Sequence, residues 1–564
     1  MGAEGVGMKV TETALGKIVE TDVLILGAGA AGSGAAIAAR REGVDVVLVE
    51  KGKLESCGSA GGGNDHFTAA LNAGPETDTC DAFAGFFGKP TSGWTRAMLE
   101  NGWFNVIPVI LEILEQEGVK FIRNLDGTYL RTQGFGQPGA WFLNISGGQT
   151  LKRRIARRVR AEGVHVFDYL LITKLLKTDG RISGCLGYQV LTGDFYLFKA
   201  KKVICCLGKT VNRASANSSG NPFNTWHDPF VTGAYFALTY EAGAKILNMD
   251  IAEQATLIPK GWGAPGMNGI NSMGGRELNA LGERFMGKYD PMWENGVRRN
   301  QIQGTYQEFV EGKGPPFFID MTHFTDADAR VLQYDLMPGD KATYNDYTSQ
   351  KGICFKRDLL EVEISELGLE GGLYVKDNFE TNVEGLFCGC VFPYVSGAIC
   401  GGYYAGSQAA QAAREAGRTG EIDEEAAARE KERIFAPLHR EEGLGYREFE
   451  GAIRSVMDYY MGLRRNQRGM ELALEKLNFI GTYAPRIRAR DTHELLRTHE
   501  SLFMHQTCIL TTLTCLERRE SGRGIYRRTD FPDPDPEMNK PLAIWQENGK
   551  FCFSWGVPSG TTPA

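Results

Sequence analysis

The sequence lacks an apolar stretch behind a basic start: its first residues read MGAEGVGMKVTETALGKIVETD. It does not open like a secretory signal. No run reaches about 18 consecutive apolar residues, the length that crosses a bilayer, so no membrane span is expected. Runs of the form C-x2-C-x2-C are missing, so no iron–sulfur cluster and no metal site are expected in the chain itself. A basic excess is missing too. The formal net charge is −7, whereas a nucleic-acid partner requires a basic stripe. The 12 cysteines, without a signal ahead of them, read as reduced thiols in a cytoplasmic setting.

What is present is a chain of 564 residues, 42% hydrophobic and 23% charged. That is apolar material for a large core and about three or four structural units. Glycine is abundant at 71 residues, and glycine-rich enzymes bring backbone close to phosphate-bearing cofactors. Residues 23–26 form a short buried-strand run. Gly27-Ala-Gly29-Ala-Ala31-Gly32 follows, then a small-residue helix over 33–41 and a strand over 44–49 that ends in Glu50. This is a complete β-α-β fingerprint. The first glycine permits a tight turn, the second lets a pyrophosphate approach backbone N–H groups, and the third lets helix and strand pack closely. A carboxylate at Glu50 accepts hydrogen bonds from ribose hydroxyls and disfavours a 2′-phosphate. Dinucleotide binding follows; the fingerprint leaves FAD and NAD both open.

Further along, residues 55–70 form a glycine-rich loop, 94–117 read as helix, and 150–162 as a basic amphipathic helix leading to a strand over 164–176. Residues 181–191 and 194–204 read as a hairpin across Thr192-Gly193. From about 250 to 350 glycine, proline and aromatic residues punctuate short elements, which marks an inserted lid. A charged helix over 421–435 opens a helical region that runs to about 520.

Several motifs then recur in one order. Ser59-Ala60-Gly61-Gly62-Gly63 is similar to an S-x-x-A-x-G-G loop, and Lys202-Val-Ile-Cys205-Cys206-Leu-Gly208 to a K-x-V-I-L-A-T-G-G strand. Gly233 with Glu241-Ala-Gly-Ala-Lys245 is similar to T-G-D-G … A-G-A. Asn279-Ala-Leu-Gly282-Glu-Arg284-Phe285-Met286 matches N-x-x-G-E-R-F-M, and Thr381-Asn-Val-Glu-Gly385-Leu-Phe387 matches T-x-V-x-G-L-F. With these motifs the chain resembles the fumarate reductase and succinate dehydrogenase flavoprotein superfamily over nearly its whole length. Within it, Trp226-His227-Asp228-Pro229-Phe230 and the tail Tyr526-Arg527-Arg528-Thr529-Asp530-Phe531-Pro532 resemble the adenylylsulfate reductase α-subunit and its relatives.

The resemblance implies an α/β fold. A Rossmann-like FAD-binding domain (18–250 and 356–415) is interrupted by a lid, or capping, domain (251–355). A C-terminal helical domain (420–524) and an extended tail (525–564) follow. FAD is expected against Gly27, Gly29, Ala31, Gly32, Glu50 and Lys51. It is also expected against Ser59, Ala60, Gly61, Gly62, Gly63, Asn64 and Asp65, then Cys206, Gly208, Gly389 and Ser396. The helix expected to begin near Gly401-Gly402 would aim its N-terminus at the flavin.

Departures from the family pattern are equally informative. Glu55-Ser56-Cys57 replaces the neighbourhood of the flavin-linking histidine, so FAD is expected to be non-covalent. The proton-donating arginine slot of the lid holds Asn271, and a substrate-binding histidine falls near Leu367. The glycine-acid pair after G-L-F is Cys388-Gly389-Cys390, and the later H-G-A-N or G-H-K segment is Ser396-Gly397-Ala398. A fumarate-type dicarboxylate site is not recognisable, and adenylylsulfate chemistry is weakened.

Four residues are candidates to take over catalysis. His66 lies in the flavin-facing loop, where a simple polar turn is the alternative. Arg276 lies near the lost arginine, or pairs with Glu277 at the surface. His227 follows Trp226 and is either catalytic or a satisfied loop histidine. Tyr394 is a potential donor to substrate. Cys388 and Cys390 read as core-filling residues rather than a redox pair, since close C-x-C pairs make poor disulfides. The function expected is two-electron redox chemistry on a small organic substrate, with electrons exchanged through a ferredoxin-like iron–sulfur subunit docking partly on residues 531–558. One alternative is the α-subunit of an adenylylsulfate reductase. The other is a non-catalytic flavoprotein that passes electrons within a larger complex.

Overall fold

The computed structural model describes residues 10–556, apart from 135, 254, 264–266, 341, 342 and 418. Its central strand, Lys17–Leu26, runs parallel to Val46–Val49 on one side and to Phe195–Cys205 on the other. His165–Phe167 extends the sheet beyond Val46–Val49, and Leu386–Cys388 pairs in parallel with Phe195–Cys205. Val23, Leu24, Ile25 and Leu26 are all fully buried. Continuous apolar runs of this kind suit strands covered on both faces.

Arg181–Gln189 and Phe195–Cys205 form the antiparallel hairpin, and Leu170–Thr178 adds to it. The single strand expected over 164–176 is instead two. Tyr169 has a left-handed backbone with φ of 59°, which ends the extended run. His165–Phe167 therefore stays with the parallel strands, while Leu170–Thr178 joins the hairpin.

Two helices cover one face of the sheet in close contact, Ala30–Arg41 and Tyr394–Glu415. A Cβ on Gly402 would strike the Ala31 carbonyl, so only glycine lets the backbones approach this closely. This corrects the expectation for Gly401 and Gly402. Both lie two turns inside a helix that begins at Tyr394, so neither marks a helix start; Gly402 serves the helix packing, while Gly401 faces the Gly389 carbonyl and the Phe392 ring. One helical stretch, Arg96–Gln116, has the length and apolar content of a membrane span; 61% of its apolar window is buried inside this fold.

The lid has its own core, drawn mainly from Ala252 to Val362. Its sheet orders Leu257–Pro259, Leu360–Ile364, Phe317–Asp320 and Arg276–Leu278. The four C-terminal helices are Glu424–Phe435, Tyr446–Tyr460, Gln467–Gly481 and Thr492–Glu517. Asp423, Asn466 and Asp491 cap three of them by accepting from backbone N–H groups three residues on.

The tail is not extended throughout. Leu542–Glu547 and Lys550–Trp555 form a hairpin whose first strand pairs with Ile246–Leu247. Leu542, Ala543 and Ile544 are fully buried there. The consecutive apolar residues Leu542, Ala543 and Ile544, in a hairpin that turns at Asn548-Gly549, give the tail a place in the core.

Candidate functional site

The first element of the site is the turn after the central strand. Gly27 takes φ of 90°, a conformation that favours glycine. A Cβ on Gly29, by contrast, would meet nothing nearer than the Gly58 Cα at 3.9 Å. The space above Gly29 is thus open to a group that approaches the backbone. The helix behind it, Ala30–Arg41, which carries Ala31 and Gly32, has no side-chain cap and no acid in its first turn. Its N-terminal N–H groups and partial positive charge therefore face that space, which suits a pyrophosphate.

Glu50 closes one side of this cradle and is 8% exposed. Its Oε2 accepts from the Ala28 N–H and its Oε1 from the Gly52 N–H, both at 2.8 Å. The two bonds fix the carboxylate and leave each oxygen a further lone pair for a ribose hydroxyl. Lys51 turns away. Its ammonium donates to the Phe230 carbonyl and pairs with Glu500 at 2.5 Å.

The glycine-rich loop meets both the cradle and the lid. Gly58 lies against Gly29, and Gly63 against the Gly339 carbonyl of the lid. Ser59 is exposed and Ala60 buried, while Gly61 and Gly62 occupy the turn between them and Gly63. Asp65 is buried beneath Gly339, and its Oδ1 lies 2.5 Å from the His66 Nδ1. His66 opens the strand His66–Thr68 and stacks on Phe142 at 4.0 Å. The Asn64 side chain donates to the His66 carbonyl.

Cys206, Gly208, Gly389 and Cys390 form the floor. The Gly389 N–H donates to the Cys205 carbonyl at 3.0 Å. The Cys390 thiol is pulled down because the Cys206 thiol donates to it, outweighing burial, with help from the Gly208 N–H and the Lys209 charge. Ser396 sits in the first turn of Tyr394–Glu415, fully buried, and its Oγ has no hydrogen-bond partner in the protein. That helix also lacks a side-chain cap. An orphan hydroxyl beside an uncapped helix start, an open glycine turn and a braced ribose carboxylate together fit FAD.

Beside this floor is a polar group that sequence reasoning reaches only in part. Tyr394 begins its helix with φ of 63°. Burial pushes its hydroxyl pKa up, while the nearby Arg298 charge pulls it down. The Arg298 guanidinium lies 4.5 Å over the Trp226 ring, which stacks on His227 at 4.0 Å. The Trp226 backbone N–H donates to Glu366 Oε1 at 2.6 Å. Lys209 donates to the Val391 carbonyl at 3.0 Å. Burial pushes its ammonium pKa down against the pull of Glu370, Cys390, Cys388 and Glu253.

Tyr394 and His227 are therefore brought to one region through Arg298 and Trp226. His66 stands on the Asp65 side, under the lid. Arg276 stands on a lid strand opposite Asp320, whose carboxylate its charge helps to stabilise. Glu277, the surface partner expected for it, is fully buried. Asn271, which sequence reasoning sets in the slot of the lost arginine, is also buried and donates to Glu277 Oε1 at 3.1 Å. Lys209 and Arg298 are absent from the sequence-based candidates. Lys209 has a signal, since it directly follows Gly208; Arg298 carries no motif and reaches the site only through the fold of the lid.

The family model described as FAD binding domain matches residues 22–419. The model described as fumarate reductase flavoprotein C-term matches residues 450–555. The chain is 26% identical to a component of the fumarate reductase (CoM/CoB) of Methanothermobacter marburgensis, covering 94% of this chain and 97% of that protein. It is 24% identical to the fumarate reductase flavoprotein subunit of Haemophilus influenzae, covering 94% and 93%. Adenylylsulfate reductase from Archaeoglobus fulgidus superposes with a TM-score of 0.86 at 21% identity, covering 99% of each chain. E. coli quinol fumarate reductase superposes with a TM-score of 0.82 at 18% identity, covering 97% and 98%.

Proposed function

From the premise that the chain belongs to the FAD binding domain family, and is thus an FAD-dependent oxidoreductase of the fumarate reductase and adenylylsulfate reductase group, we propose that it acts on a small anionic organic substrate held beside Tyr394, Arg298 and Lys209. The observation that carries this reading is the stack of Arg298, Trp226 and His227 facing Tyr394 at the junction of lid and floor. A flavin serving only as an electron conduit has no need of such a group. FAD, when bound, supplies two-electron chemistry. Gly29, Glu50, Ser396 and the two uncapped helix starts would hold it, without a covalent link.

The remaining work falls to the chain's own side chains. Arg298 offers a planar fork to an anionic group and is kept in place by the Trp226 face. Lys209, reaching out from the floor, adds a second positive charge where negative charge develops. Tyr394, kept protonated by burial, donates the proton. The lid contacts at Gly63 and Asp65 exclude water and strengthen each of these interactions. His227 positions Trp226, and the Asp65–His66 pair anchors the flavin-facing loop.

The relatives from M. marburgensis and H. influenzae are both named as subunits, which supports a partner subunit; the chain has no cysteine run with cluster spacing, and we infer that this partner carries the iron–sulfur clusters that exchange electrons with the flavin. The tail hairpin contributes only its outer face to that contact, since Leu542–Ile544 is already buried.

The test is anaerobic reoxidation of the reduced holoprotein by fumarate, CoM/CoB compounds and adenylylsulfate, with other small oxyanions. At least one should react at an ordinary enzyme rate, and Arg298→Gln should raise its KM. A panel that leaves the flavin reduced throughout would count against a substrate-handling role.

A further inference from the structure

A pocket of about 270 Å³ opens where the lid meets the helical domain, and none of the flavin-site residues lines it. One wall is the lid helix Arg298–Val310. Asn300, Gln303 and Gln307 recur on it at spacings of three and four, so they share one face. The other wall is the short parallel pairing of Arg464–Arg465 with Arg527–Arg528. Arg465 and Arg528 turn inward and are 2% and 0% exposed. Arg528 is neutralised by Asp530 at 2.7 Å. By strand alternation Arg464 and Arg527 turn the other way, side by side, into the pocket.

These two arginines, with Arg299 near them, carry charge that the protein does not balance. Arg464 donates to Gln307 Oε1 at 3.3 Å and lies 5.4 Å over the Tyr306 ring. Among the described residues no carboxylate pairs with Arg299, Arg464 or Arg527. Burial, then the charges of Arg464 and Arg299, push the Arg527 guanidinium pKa down, which is the mark of like charges held together. An independent observation points the same way. Gln303 is 7% exposed and lines the pocket; its amide donates to the Ile525 carbonyl, and its Oε1 has no hydrogen-bond partner. A buried acceptor left unmade is costly unless a ligand donor reaches it.

We propose that this pocket binds a small organic phosphate or sulfate that carries a hydroxyl group. The forks of Arg464 and Arg527 match the oxygens of such an anion, and Arg299 adds charge. The hydroxyl donates to Gln303 Oε1. The volume lies just below the usual range for small-molecule sites, which leaves room for an organic group as well as the oxyanion. Arg298, at the start of the same lid helix, stacks on Trp226 in the substrate region. A ligand bridging this helix to Arg464 and Arg527 therefore ties the lid to the helical domain and regulates the substrate region from a separate site. The proposal does not rest on which substrate the flavin site takes.

The experiment uses the full-length FAD-loaded protein and two probes, inorganic phosphate and glycerol 3-phosphate. Calorimetry and thermal melting compare the parent with Arg464→Gln/Arg527→Gln and with the single Arg527→Gln variant, whose side chain is exposed. Both probes should bind the parent, glycerol 3-phosphate the more tightly. Each guanidinium lost should weaken binding at least about tenfold. Without ligand the variants should melt no lower than the parent, because repulsion has been relieved; a merely structural pair of arginines would lower the melting temperature. Absence of binding to the parent, or equal binding to parent and variants, would overturn the site. Phosphate binding as tightly as glycerol 3-phosphate would overturn the assignment of an organic ligand.

Discussion

The Lys51 ammonium stands 2.5 Å from the Glu500 carboxylate and joins the ribose end of the flavin cradle to the long helix Thr492–Glu517. Glu500 also meets Arg497 at 2.6 Å and Arg213 at 3.3 Å, and Arg213 meets Glu450 at 2.5 Å. Burial alone would raise the Glu500 pKa; the charges of Lys51, Arg213 and Arg497 outweigh it and hold the pKa at about 2. The flavin cradle and the helical domain thus share one buried ionic network.

Glu500→Gln should be strongly destabilising, because it leaves Arg213 and Lys51 without their shared counter-charge. Breaking a buried pair typically costs about 3–5 kcal/mol. The pH dependence has a definite sign. The folded pKa lies below the unfolded value, so the stabilisation is full above about pH 4.5 and is lost as pH falls towards 2. Thermal melts of parent and variant from pH 7 downward should converge in that window; parallel curves would exclude Glu500 as the source.

Glu277 has the opposite sign. Burial raises its pKa from 4.5 to about 8, against the pull of Gln301, which donates to it. The folded lid holds the proton that the unfolded chain releases, so stability is full below about pH 4.5 and declines as pH rises towards 8. The cost above that range is on the order of 4–5 kcal/mol. Glu277→Gln should raise the melting temperature at pH 8.5 and change it little at pH 4.5. An equal shift at both values would show that Glu277 is not protonated in the fold.

Glu50→Ala should cost more flavin than any single lid substitution. The change removes an acceptor for ribose hydroxyls, and it also releases the Ala28 and Gly52 N–H groups that the carboxylate braces. Hydrogen bonds to a charged group contribute about 1.5–3 kcal/mol each. Flavin retained after dialysis measures the effect, and equal retention in parent and variant would contradict it. Acid precipitation of the parent should release all of its yellow colour, since Ser56-Cys57 stands where a linking histidine would lie.

Fumarate should be a poor substrate. Asn271 occupies the slot of the proton-donating arginine and is buried against Glu277. Fumarate set for an acid in the lid slot is not in line with Tyr394, and losing a positioned acid costs about 10²–10⁴-fold. Turnover of fumarate at about 1–10³ per second would refute this assignment.

The flavin cradle is legible in the sequence because its demands are local. Gly27 must adopt φ of 90°, and Glu50 must end the second strand; neither requires knowledge of distant residues. Gly401-Gly402 is open to misplacement because a glycine pair marks a helix start and a close helix crossing equally well, and only the position of Ala31 decides between them. Arg298 is invisible for a different reason. It has no motif around it, and the lid alone brings it over Trp226. The tail reads as extended because its short apolar strand finds its partner, Ile246–Leu247, some 300 residues earlier in the chain.

The central claim is that proton donation has moved from the lid slot to Tyr394. Stopped-flow reoxidation of the reduced holoprotein by its most reactive panel compound tests this most directly, with the parent, Tyr394→Phe and Asn271→Ala measured side by side. Tyr394→Phe should slow the chemical step by about 10²–10⁴-fold, while Asn271→Ala stays within about tenfold of the parent. A fast Tyr394→Phe protein beside a slow Asn271→Ala protein would return the acid to the lid and contradict the account.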